Sequence, residues 1–135
     1  MKKIFTTFLL KFALVATVLA IVFRLALTYG VKNELNLFII LLSVLYSICM
    51  FAAGWYYGKK DANYLPIYDV GFRFHFTTYL VFVSIGELAL CFGLNAAGIH
   101  ITAIIWGIFL VIHFLFFLWA RKKSIQGLSK EELFE

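Results

Sequence analysis

Charge is scarce in this chain: Asp, Glu, Lys and Arg together make up 14% of 135 residues, against about 25% in ordinary soluble domains. Acids are scarcer still, at seven. There is one proline, Pro66, and there are two cysteines, Cys49 and Cys91, each alone in an apolar run. Without a C-x-x-C spacing the cysteines read as small hydrophobes and supply neither a disulfide framework nor a metal site. Nucleophile–base–orienter sets, glycine-rich phosphate loops and metal-ligand clusters are missing too, so the expectation is of no enzyme, no catalytic residue, no metal and no cofactor.

What is present is apolar mass. Hydrophobic residues reach 64%, with 16 phenylalanines. A soluble protein of this size has too much surface per volume to bury them, whereas lipid accepts them. Four runs near 10–30, 36–57, 73–94 and 99–120 each approach the roughly 20 residues that cross a bilayer. The first and third connections are short. The expected fold is therefore an all-α membrane protein: a four-helix transmembrane bundle of two antiparallel hairpins, one integral membrane domain over 1–135 with a tail at 121–135. The N-terminal run begins like a signal peptide, but Lys11 interrupts it and Ile21-Val22-Phe23 continues it, so it reads as a retained anchor.

Ten of the twelve basic residues fall at the two chain ends or in the central connection, and Lys32 alone sits on the other side. Lysine and arginine bias sets orientation when loops are short, which predicts both termini in the cytoplasm. These charges form no stripe interleaved with base-stacking aromatics, so nucleic acid is not an expected partner; anionic headgroups at the cytoplasmic face are. A bacterial inner membrane is the expected host for so compact a chain.

Two full charges lie within the predicted spans, Arg24 and Glu87. Each costs about 2.5–3.5 kcal/mol near the bilayer centre on insertion scales. Both are expected about 9–10 Å below the same boundary, which predicts an ion pair in a buried polar layer with Ser43 and Trp106, the indole covering the guanidinium. Glu87, His113 and His75 form a candidate proton or ion path, with His75 in an interfacial network with Arg73 and Asp69. The segment 58–72 reads as an interfacial loop. Tyr64 and Tyr68 from it, with Leu128, Leu133 and Phe134 from a tail that carries a Ser129/Glu132 capping box, make a candidate cytoplasmic partner surface.

Two functions fit these residues. In the first, the chain is non-catalytic and binds or stabilises another membrane protein, as an accessory subunit or an immunity-type protein. In the second, it self-associates into a small channel or transporter for an ion, proton or small solute that uses Glu87 and Arg24.

Overall fold

Each apolar run folds as one unbroken helix: α1 over Thr7–Lys32, α2 over Asn36–Asp61, α3 over Ile67–Cys91 and α4 over Ile99–Gln126. The computed structural model describes residues 6–63, 65–94 and 98–126. All four helices are long and apolar enough to cross a membrane. α1, α2 and α4 overrun the expected spans, and α3 begins six residues early but ends at Cys91, short of 94; hydropathy marks the stretch that fits hydrocarbon, while backbone hydrogen bonding carries a helix on into polar residues. Lys59, Lys60, Asp61, Asp69 and Arg73 all lie on helical turns as a result. The expected 58–72 loop contracts to the connection between Asp61 and Ile67. Tyr64, Leu128, Leu133 and Phe134 lie outside the described residues.

The helix ends follow local chemistry. Thr6 caps α1: its Oγ1 accepts from the Leu9 backbone N–H at 3.1 Å. The same hydroxyl donates to Asp61 Oδ2 at 2.6 Å, tying the end of α2 to the start of α1. Asp61 is 0% exposed, and an acid is well placed beside the positive end of a helix dipole. Gly93 ends α3 at φ 68°, a left-handed conformation that glycine adopts without steric cost, and the Leu94 N–H returns to the Ala89 carbonyl at 2.8 Å. Removing the Thr6 hydroxyl deletes a cap and strips a buried carboxylate of its described partner. Thr6→Ala is expected to cost about 1–3 kcal/mol and Thr6→Ser almost nothing, read as the shift in thermal unfolding of the detergent-solubilised protein.

The helices pack as an open row. Among the described residues α1 lies against α2 and α3, α2 makes a smaller contact with α3, and α4 packs on α3 alone. Phe12, 1% exposed, anchors the middle of this row with its ring 4.8 Å from Phe74 and 6.5 Å from Tyr57. Ala16 and Ala20 continue the buried stripe of α1, and such small residues allow close approach where lipid offers no hydrophobic drive. Between α3 and α4 the contact is aromatic, with Phe72 and Phe117 stacked at 5.2 Å. Because α4 has only one neighbour, a trough remains between it and α2, floored by α1 and α3.

Candidate functional site

Arg24 is the buried cation among the described residues. Its helical position continues the Phe12, Ala16, Ala20 stripe of α1, so the helix turns it inward and leaves it 5% exposed. The guanidinium lies over the Phe82 ring of α3, 4.9 Å from the centroid. A desolvated cation–π contact of this kind is worth about 2 kcal/mol. Its Nη2 has no hydrogen-bond partner among the described residues. Gly86, one turn beyond Phe82, makes room for it: a Cβ built there would stand 3.2 Å from Nη2. Arg24 also borders a fissure of about 230 Å³ whose other walls include Ile21, Leu25, Ile85, Leu88 and Phe92.

The expected Arg24–Glu87 ion pair is not formed. Glu87 Oε1 lies 3.2 Å from His100 Nδ1 at the start of α4. The reason is angular. Phe82, Gly86 and Ala89 form the inward face of α3, and Glu87 follows Gly86 by about 100° of helical rotation. Matched depth therefore placed the right turn of α3 beside Arg24 but not the right side of it. Trp106 does not cover the guanidinium either; Phe82 does, and Trp106 packs on Phe82 at 5.2 Å.

Ser43 and Trp106 line the trough, a hollow of about 640 Å³. A second hollow of about 770 Å³ along α4 adjoins it and shares four polar or aromatic walls, His75, Thr102, Trp106 and His113. Ser43 and Ser47 donate back to the carbonyls of Ile39 and Ser43, as serines in apolar helices do.

His75 and His113 meet with Nδ1 atoms 3.2 Å apart and rings nearly perpendicular. Arg73 instead forms a two-pronged pair with Asp69, at 2.8 and 2.9 Å, so the expected Asp69–Arg73–His75 network divides in two. On α3, Glu87 lies twelve residues from His75, about 18 Å along the axis. The three residues of the expected proton path thus fall into two separate pairs, Glu87 with His100 and His75 with His113. Tyr68, the described member of the expected cytoplasmic surface, is half-buried with its ring 5.9 Å from Phe117.

Sequence reading alone passes over Phe82, one of 16 phenylalanines with nothing to single it out. It also passes over Asp61, which looks like a solvated loop acid after Lys59 and Lys60. The available signal was Thr6, a capping residue at the head of an apolar run. No family model matches the chain, and no curated protein or solved structure matches it.

Proposed function

We propose that the chain is a small, non-catalytic polytopic membrane protein that binds another membrane protein, as an accessory subunit or an immunity-type partner. The observation that carries this reading is Arg24: a guanidinium inside the bundle whose Nη2 has no partner among the described residues. The described acids are committed elsewhere. Asp61 holds Thr6, Asp69 holds Arg73, Glu87 faces His100, and Glu34 lies exposed in the turn after α1. A countercharge is then supplied by another molecule.

Depth selects its source. Arg24 lies about 7 Å past the midpoint of α1, and the Phe82 ring beneath its guanidinium about 4–5 Å past the midpoint of α3. Headgroup phosphates stand about 15 Å or more from the bilayer centre, about 10 Å from the guanidinium where it lies over Phe82. A carboxylate at that depth belongs to the transmembrane helix of a partner protein, where an embedded acid would itself need a cation. The exposed side chains of Ile21, Leu25 and Leu88 beside the fissure offer that helix an apolar seat.

The same reading takes the row as two antiparallel hairpins with both termini in the cytoplasm of a bacterial inner membrane. Ring pairs Phe12–Tyr57, Phe23–Tyr46 and Tyr29–Phe38 support the first α-hairpin, since numbers rise on one helix as they fall on the other. The segregation of ten basic residues supports the orientation.

Native mass spectrometry of tagged protein, gently extracted from its host membrane, tests the proposal. The expected result is a heteromeric mass whose second chain has an Asp or Glu within an apolar helix. A homo-oligomer would favour the channel or transporter reading, with Glu87 of a second copy meeting Arg24, and a monomer would contradict both.

A further inference from the structure

The trough between α2 and α4 shares no wall residue with the fissure beside Arg24, and its chemistry is different. Its two adjoining hollows are lined by no Asp, Glu, Lys or Arg. Aromatic rings dominate the lining, among them Tyr46, Phe74, Phe82 and Trp106. At about 640 and 770 Å³, each hollow falls in the range of small-molecule sites, about 300–1,000 Å³.

The histidine pair sets what can bind there. With neutral rings and Nδ1 atoms 3.2 Å apart, one Nδ1 must carry the proton and the other must accept it. The accepting ring then has its proton on Nε2, while the donating ring has a bare Nε2. The pair thus presents one donor and one acceptor outward. His113 Nε2 is turned toward α3, 3.8 Å from a Cβ built on Gly71, while the His75 ring is the exposed one. The outward group at His75 is an Nε2–H whenever His113 donates within the pair. The side chains of Thr102 and Trp106, on the same trough, make no hydrogen bond among the described residues.

We propose that the trough binds an uncharged, lipid-soluble ring compound bearing a carbonyl, of the quinone class, with its carbonyl accepting from His75 Nε2–H and its ring among the aromatic walls. The walls themselves carry no charged side chain, so they suit an uncharged ligand. The flat rings favour a flat ligand. The trough lies between helices that face lipid, so a ligand soluble in the bilayer reaches it sideways. A partner helix fits less well, because its backbone hydrogen bonds are already internal and leave the His75 donor unmet. Binding fixes the tautomer in which His113 Nδ1–H donates to His75 Nδ1.

Trp55 and Trp106 line the trough and report occupancy. The full chain in lipid nanodiscs is titrated with a short-tailed benzoquinone, an efficient quencher of indole emission. The expected result is a saturable quench. His75→Leu is expected to raise its midpoint at least tenfold, whereas His75→Gln, which keeps an N–H donor, stays within threefold of wild type. An alkane of the same tail length is expected not to compete. A quench linear in quinone for the wild type, the signature of partition into bulk lipid, would overturn the proposal. So would equal midpoints for wild type and His75→Leu, with circular dichroism showing both folded. Because the probe is small and no partner is required, failure here leaves the Arg24 reading standing, and failure of that reading leaves this one.

Discussion

Replacing Arg24 with leucine is expected to leave the isolated protein folded, with a thermal midpoint equal to or above that of wild type, while partner binding falls about 30-fold or more. The two effects have opposite signs because the guanidinium has different surroundings in the two states. In the lone chain, Nη2 is buried without a partner, and an uncompensated buried donor costs about 1–3 kcal/mol, more when charged. Leucine removes that cost and keeps apolar contact with Phe82, although the cation–π term is lost with it. In the complex, the substitution strands the partner's carboxylate in a dry interface, at about 2–5 kcal/mol. An internal Arg24–Glu87 pair would give the reverse pattern: Arg24→Leu alone would prevent accumulation, and Glu87→Leu would rescue it. The geometry, with Glu87 turned to His100, predicts no rescue. Differential scanning fluorimetry of the single and double variants, beside pull-down from host membranes, separates the cases.

Gly86→Val is expected to damage the fold itself. A Cβ at this position would overlap Ile99 Cδ1, stand 2.6 Å from Ile99 Cγ1 and press on Arg24 Nη2 at 3.2 Å. Ile99 is 2% exposed and packed with Ala89, Phe82 and Leu94, so it has little room to withdraw. Overpacking a filled site typically costs about 1–3 kcal/mol, and this contact is where α3 receives both α1 and the first turn of α4. Ile99→Ala in the same chain opens the space and is expected to restore more than half of the lost thermal midpoint. If Gly86→Val matches wild type without it, α4 does not start where the structure places it.

The sequence exposed helix number and place because the signal for both is composition: about 20 apolar residues make a span whatever surrounds them. Rise per residue is fixed too, and the turn of α3 that carries Gly86 and Glu87 does lie beside Arg24. Azimuth was hidden. A helix that is apolar on all sides carries no stripe to say which face meets a neighbour, and α4, most of whose large side chains are exposed, is the extreme case. Hence rise alone sets Glu87 on the turn beside Arg24, while its azimuth turns it to His100. In α2, likewise, Ser43, Ser47 and Gly54 stand at helical spacing that marks a common face, and that face lines the trough. Asp61 was hidden differently, by sitting after two lysines in a segment whose polarity masks a helix end.

Photo-crosslinking from Leu88 decides whether Arg24 meets a carboxylate carried by another protein's transmembrane helix. Leu88 is exposed and lines the fissure beside Arg24, so a photoreactive residue there reports what lies over the guanidinium in the native membrane. One adduct is expected, lost in the Arg24→Leu background, with the crosslinked peptide mapping to an apolar segment of a different protein that contains Asp or Glu. Adducts to lipid alone, to a peptide without an embedded acid, to a second copy of this chain, or at equal yield with Arg24→Leu would contradict it.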